Sequence, residues 1–226
     1  MNASAPAKAV PVTLYPHWTL DEALRQLVRA CLEQFNANAP GAANARNVEF
    51  LHQARIALRR MRSALRLAGP ADEAAKRLRA ELKWLSGTLG AARDWDVLLD
   101  DTLPPVGRAY APPGTADPEA AREMARLLNA ARRRRAKARG GMREALDSAR
   151  HAALIGDIEH WVAEGPAAPN VAFVLPDFAA AQVRKLHKRL LRDAATLAGG
   201  GTPAERHRTR ISAKRLRYAV EFFGSL

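Results

Sequence analysis

The sequence is poor in cysteine, in aromatic residues and in long apolar runs. Its single cysteine, Cys31, has no partner for an internal disulfide, which favours a buried, inert thiol in a reducing compartment. The N-terminus lacks an apolar signal segment, and no run reaches the roughly 18 apolar residues of a membrane-spanning helix. We therefore predict a cytoplasmic protein without a membrane partner.

Catalytic motifs are also missing. There is no GxxxxGK[ST] loop, no HExxH and no spacing that supports a Ser-His-Asp or Cys-His arrangement. Four acidic residues fit a Mg²⁺ site that hydrolyses phosphoanhydrides, but helix capping and solvation explain them more simply: Asp94, Asp96, Asp100 and Asp101. We predict no catalytic residue, no metal site and no cofactor, so the protein is not expected to be an enzyme.

Acidic residues are outnumbered by basic ones, and this imbalance indicates the kind of partner. The chain has 36 Lys and Arg against 23 Asp and Glu, a formal net charge of +13. Such a charge favours binding to a polyanion without identifying it. Aromatic residues make up only 6% while alanine is abundant, and β-branched alternation is rare, so the composition predicts an all-α fold.

Helical periodicity and loop signals divide the chain into two groups of helices. Residues 1–19 read as a flexible leader, and Thr19 is a suitable N-cap for the first helix. Composition predicts a loop over residues 36–47, and the proline-rich stretch 103–118 is the best internal boundary. We therefore predict a first half over about residues 20–102, a linker at 103–118 and a second half at 119–226.

One stretch, HQARIALRRMRSALR at residues 52–66, combines a basic line with an apolar face. At 100° per residue its basic members fall within an arc of roughly 80°: His52, Arg55, Arg59, Arg62 and Arg66. No acidic residue lies among them, and like charges at these spacings destabilise a helix. A solvated surface explains many such charge runs, but an anion held against the line would remove the repulsion.

The same line of basic residues occurs a second time, in HRTRISAKRLRYAV at residues 207–220. His207 lies 155 residues after His52, and the other matching cations follow at the same offset: Arg210, Lys214, Arg215 and Arg217. Glu221 stands where the first copy has Arg66. Core packing can constrain an apolar stripe but gives no reason to duplicate a basic one, so the repeat favours an anion site.

Three stretches carry a resemblance to a known family: VEFLHQARIALRRMRSALRL, LGAARDWDV and RHRTRISAKRLRYAVEFF. The chain resembles the CHAD domains from about residue 20 to its end. The resemblance implies an all-α protein of two helical bundles, related by a pseudo-twofold axis, with basic residues lining a central groove or pore. It also implies that the ligand is inorganic polyphosphate, and that the protein is a non-catalytic binding or granule-targeting module located in the cytoplasm on polyphosphate granules.

Matching the family pattern by position gives the candidate ligand residues. The polyphosphate-binding candidates are His52, Arg55, Arg59, Arg62, Arg66, His207, Arg210, Lys214 and Arg217. The secondary basic candidates are Arg60, Arg93, Lys185, Lys188 and Arg215. Arginine suits this ligand because its planar fork can contact two phosphate oxygens at once.

Two questions stay open from the sequence. The second basic helix is followed only by EFFGSL, so the second bundle is predicted to lack its last helices in this chain: either this stretch of sequence ends before them, or a partner chain completes the bundle. A nucleic-acid-binding protein that contacts the phosphate backbone is the alternative function, although the two basic lines contain only one aromatic residue, Tyr218, for base stacking. The sequence does not define the oligomeric state.

A histidine in the basic line predicts a pH-dependent affinity. A bound anion favours the protonated imidazole, so polyphosphate binding should become tighter as the pH falls from about 8 to about 6. The effect should be smaller in His52→Ala, as binding titrations at both pH values would measure. Equal affinity at the two pH values in both proteins would contradict the role of this histidine.

Overall fold

In a computed structural model, the structure describes residues 5–44, 47–69, 72–110, 117–164 and 174–226. All regular secondary structure in these ranges is helical, which confirms the predicted all-α class. The helices are α1 (Leu20–Asn44), α2 (Val48–Ala64), α3 (Glu73–Val97), α4 (Leu103–Tyr110), α5 (Pro118–Leu146), α6 (Ala149–Glu164), α7 (Leu175–Ala195) and α8 (Pro203–Phe223). A π-helical turn, Leu98–Thr102, links α3 to α4.

Side-chain caps fix where two of these helices begin. Thr19 caps α1 as predicted, because its hydroxyl accepts from the Glu22 N–H while the Glu22 carboxylate accepts from the Thr19 N–H at 2.7 Å. Thr202 and Glu205 form the same reciprocal capping box at the start of α8. Each box satisfies backbone donors that would otherwise have no partner inside the helix.

The predicted loop over residues 36–47 is wrong for most of its length. Helix α1 continues to Asn44, with Pro40 inside it, while residues 45 and 46 lie outside the described ranges. Gly41 in this extension has a packing role, because a Cβ there would lie 2.4 Å from the Phe50 ring. Glycine therefore lets α1 approach α2 closely, where composition suggested a turn.

Gly90 lies inside α3 without interrupting it, because the helix runs unbroken to Val97. Asp96 does not cap a helix: it is fully buried, and its carboxylate accepts from Arg139 Nε at 3.1 Å and from Arg139 Nη2 at 2.9 Å. Asp100 accepts from Arg135 at 3.2 Å. Two arginines of the basic segment at residues 132–139 are thus neutralised by acids of the Asp94–Asp101 group.

The leader and the linker each contain described residues with regular contacts. Leu14 is buried, and its N–H donates to Ser225 Oγ at 2.8 Å. The segment predicted as a linker, 103–118, begins with helix α4, and its residues 111–116 lie outside the described ranges.

No helix in the described ranges combines the length and the apolar character that a membrane-spanning segment needs.

The chain divides into two compact units, each with its own apolar core. The first unit comprises the described residues of 1–8, 34–58 and 81–156, and the second those of 9–33, 59–80 and 157–226. Phe35, Leu58 and Leu85 lie in the core of the first unit, whereas Leu27, Met61 and Phe222 lie in that of the second. The pseudo-twofold relation between two bundles stays a prediction.

Cys31 lies in the core of the second unit, as the sequence predicts. Burial raises the pKa of its thiol to about 11, so the reactive thiolate is scarce at neutral pH.

Replacing Arg139 by alanine should destabilise the first unit strongly. It would leave the Asp96 carboxylate fully buried without its cation, which typically costs about 3–5 kcal/mol in the free energy of unfolding. Urea denaturation measures the loss, and Arg133→Ala, at an exposed position of the same basic segment, is the matched control with an expected change within about 0.5 kcal/mol. Equal stability of the two variants would show that the buried pair is not needed.

Candidate functional site

The N-terminal part of the α2 basic line belongs to the first unit. Arg55 reaches across to α3, where its Nη1 donates to the Ser86 carbonyl at 3.2 Å. Gly90 makes room for this guanidinium, since a Cβ there would lie 2.5 Å from Arg55 Nη1. His52 is half-buried on the same helix. Arg55 is therefore held in a defined position by backbone contacts.

The C-terminal part of the line lies in the second unit, and no described carboxylate forms an ion pair with Arg59, Arg62 or Arg66. Arg59 and Arg62 are half-buried, and the Nε of each is buried without a hydrogen-bond acceptor among the described residues. Burial lowers the pKa of Arg62. Burial also lowers the pKa of Arg66, and nearby positive charges lower it further: Arg215, Arg62, Arg79 and Arg189. These side chains stay protonated, so the shifts record unfavourable charge rather than neutral groups.

In the repeat, Arg60 and Glu221 occupy positions equivalent to those of Arg215 and Arg66, and the two pairs differ in charge. Arg60 forms an ion pair with Glu221, is itself buried, and lies 5.7 Å from the Phe222 ring centroid. The equivalent positions hold Arg215 and Arg66, which carry like charges. Arg60 is therefore committed to a structural ion pair, while Arg66 and Arg215 have no carboxylate within ion-pair distance in the described part of the chain.

Arg66 and Arg215 line one cleft inside the second unit, with a volume of about 390 Å³. Lys185 and Arg189 of α7 add two further positive charges to its walls, and no acidic residue of the described ranges is among the lining residues. Apolar and aromatic side chains form the rest of the surface, including Leu67, Phe178, Leu186 and Phe222. The cleft thus combines four cationic side chains with apolar walls, provided by α7, α8 and the residues around the end of α2, and one of the four, Arg189, lies 3.8 Å from the Asp193 carboxylate.

The packing of α8 against α7 determines which residues of α8 reach the cleft. Asp193 connects the two helices: its carboxylate accepts from Ser212 Oγ at 2.5 Å, and its carbonyl accepts from Thr209 Oγ1 at 2.9 Å. Burial and the positive charge of Arg189 lower the pKa of Arg215, whereas Asp193 raises it. Asp193 therefore offsets only part of the charge on this side of the cleft.

Several sequence-predicted candidates lie away from the cleft. None of the four residues of the second basic line is among its lining residues: His207, Arg210, Lys214 and Arg217. His207, Arg210 and Arg217 are exposed, Lys214 is half-buried, and the Arg217 guanidinium lies 4.9 Å from the Tyr218 ring centroid. Of the secondary candidates, Lys185 and Arg215 line the cleft, Lys188 is exposed, and Arg93 is half-buried in the first unit.

Sequence reasoning missed Arg189, Gln182 and Phe178, which line the cleft from α7. It also treated Glu221 as a departure from the repeat, although this residue neutralises Arg60. The constant offset between the two copies could have indicated the role of Glu221, because it relates Arg60 to Arg215 and Glu221 to Arg66.

Comparison with known protein families decides the classification. The model of the CHAD domain matches residues 26–226. The chain belongs to the CHAD domain family. This match covers all of α2, α7 and α8, the helices that bear the basic lines and the cleft residues of α7.

Solved structures agree with the CHAD classification. The crystal structure of the CHAD domain from the plant Ricinus communis is 33% identical, covers 99% of this chain and 72% of its own, and superposes with a TM-score of 0.80. PptA from Streptomyces chartreusis, at 23% identity, shares the fold, with coverage of 90% of this chain and 75% of its own and a TM-score of 0.71. A comparison with curated proteins found no match.

Removing one charge from the Arg60–Glu221 pair should lower the stability of the protein, whereas removing one from the equivalent Arg66–Arg215 pair should not. Glu221→Gln leaves the buried Arg60 without its carboxylate and should lower the free energy of unfolding by about 1–3 kcal/mol. Arg215→Met keeps an apolar side chain and removes a charge that repels Arg66, so stability should stay equal or rise at low ionic strength. Urea denaturation at low and high salt measures both, and an equal loss in the two variants would contradict this difference.

Proposed function

We propose that this CHAD protein binds inorganic polyphosphate without hydrolysing it. The observation that carries the proposal is the cluster of uncompensated guanidinium groups in the second unit. Burial lowers the pKa of Arg62, Arg66 and Arg215, and neighbouring positive charges add to the shift in the last two. An anionic ligand would relieve both effects, because an opposite charge favours the protonated form.

The chemistry of phosphate chains matches this cluster. Each phosphate presents several oxygens, and a guanidinium can donate to two of them in a planar fork. Hydrogen bonds to charged groups contribute about 1.5–3 kcal/mol each. Arg59 and Arg62 are half-buried, and their buried Nε–H groups have no acceptor within the described ranges, so a phosphate bound at the exposed part of either guanidinium would stabilise a charge that is poorly solvated.

Exposed cations extend the proposed binding surface beyond the cleft. His207, Arg210 and Arg217 are exposed on α8 and are not lining residues of the cleft, so they offer a long chain further positive charge on the same helix. A protein that binds in this way would attach to polyphosphate granules in the cytoplasm. Membership of the CHAD family supports this assignment, and so does the resemblance of both basic lines to the family pattern.

The absence of hydrolysis is part of the proposal. The acidic residues that a Mg²⁺-dependent mechanism would use include Asp96 and Asp100, which instead accept from Arg139 and Arg135. Carboxylates engaged in this way are poor ligands for a cation, because the arginines beside them repel it. Shortening of polyphosphate chains on incubation with the protein and Mg²⁺ would contradict this part.

Removing the uncompensated cations should weaken binding more than removing the same charge elsewhere. In the triple variant Arg62→Ala/Arg66→Ala/Arg215→Ala, the slope of log K against log salt for polyphosphate should fall by about 2, since each contact to a single-stranded polyanion contributes about 0.7. The matched control is Arg132→Ala/Arg133→Ala/Arg134→Ala, which removes three exposed charges from α5 and should leave the slope unchanged.

Two results would count against the proposal. Equal slopes in the two triple variants would mean that net charge alone drives binding. A DNA or RNA oligomer that displaces polyphosphate at equal phosphate concentration and moderate salt would favour the nucleic-acid alternative.

A further inference from the structure

Part of the cleft surface in the second unit is not suited to an inorganic phosphate chain. Arg66, Lys185, Arg189 and Arg215 supply positive charge, but apolar and aromatic side chains line the same cavity, among them Phe178 and Phe222. A polyphosphate chain presents only charged oxygens, which lose hydration beside apolar surface without compensation. The cleft is therefore better matched by an anion that also has an apolar body.

A buried hydroxyl in the cleft wall also lacks a partner. Tyr218 lines the cavity and is only 4% exposed, and its hydroxyl oxygen has no hydrogen-bond partner among the described residues. Buried polar groups in native proteins are nearly always paired, so an unpaired one indicates a missing partner. Gln182 lines the same cleft and offers both a donor and an acceptor.

We propose that the cleft binds a nucleotide carrying two or more phosphates. The phosphates would lie against the four cations, and the base against the half-buried ring of Phe178, with Gln182 and Tyr218 as polar groups beside the base or the sugar. The volume of about 390 Å³ falls within the usual range of small-molecule sites, about 300–1,000 Å³. The inference rests on the proposed function, because the same arginines would hold the phosphates.

The shape and polarity of the cleft favour a nucleotide over an alkyl phosphate. An alkyl chain would fill the apolar part but would leave the Tyr218 hydroxyl without a partner and the Gln182 amide facing methylene groups. A base and its sugar have polar edges as well as apolar faces, so they can satisfy both kinds of wall.

The test compares ATP with inorganic tripolyphosphate on the full chain by titration calorimetry. We expect ATP to bind at least about fivefold more tightly, because tripolyphosphate has no base to place against an aromatic ring. Phe178→Ala should lower the affinity for ATP at least about fivefold more than that for tripolyphosphate. Leu191→Ala, at an exposed position of α7 outside the cleft, is the matched control and should change neither.

A second variant covers the case in which Phe178→Ala fails to fold. Phe178→Leu keeps an apolar side chain but removes the ring, and it should still lower the affinity for ATP selectively. Equal affinities of the wild type for ATP and tripolyphosphate, or octyl phosphate binding as tightly as ATP, would overturn the nucleotide assignment.

The outcomes also separate this inference from the proposed function. If long-chain polyphosphate binds but ATP has no advantage over tripolyphosphate, only the nucleotide inference fails. If ATP binds with the expected loss in Phe178→Ala while long-chain polyphosphate does not bind, the nucleotide inference stands and the proposed function fails.

Discussion

Repulsion between like charges is the constraint on which the arrangement of the second unit depends. Arg66 and Arg215 line one cleft together with Lys185 and Arg189, and the part of the chain that the structure describes contributes no acidic side chain to its lining. Elsewhere the chain uses its acids to neutralise arginines, as Glu221 does for buried Arg60. Asp193 offsets part of this charge, because its carboxylate lies 3.8 Å from Arg189 Nε, and an external anion would offset the rest.

Local periodicity predicted most helices of this CHAD chain, and it failed where glycine serves tertiary packing. The apolar spacing of α2 and α8 was sufficient to predict both helices, since each buries a defined face. Composition suggested a loop around Pro40 and Gly41, yet Gly41 brings α1 onto Phe50. Gly90 in turn accommodates the guanidinium of Arg55. Such close approaches depend on which helices pack together, and sequence spacing does not contain that information.

The candidate site was only partly predictable, for a related reason. Of the five basic residues that helical spacing groups on α2, Arg66 lines the cleft, whereas His52 and Arg55 belong to the first unit. The same spacing favoured Lys214 on α8, although the next residue, Arg215, faces the cleft. A rotation of one residue, about 100°, decides which side chain meets α7, and that rotation is set by contacts such as the one between Ser212 and Asp193. Arg189 belongs to no sequence motif, and only the packing of α7 against α8 shows that it lines the cleft.

The most direct test of the account is heteronuclear NMR of the guanidinium Nε–H groups during titration with polyphosphate. The resonances of Arg62, Arg66 and Arg215 should shift on binding, whereas that of Arg60, held in its pair with Glu221, should stay in place. Shifts confined to the exposed arginines at 132–134, with Arg62, Arg66 and Arg215 unchanged, would contradict the central claim that the uncompensated cluster is the binding site.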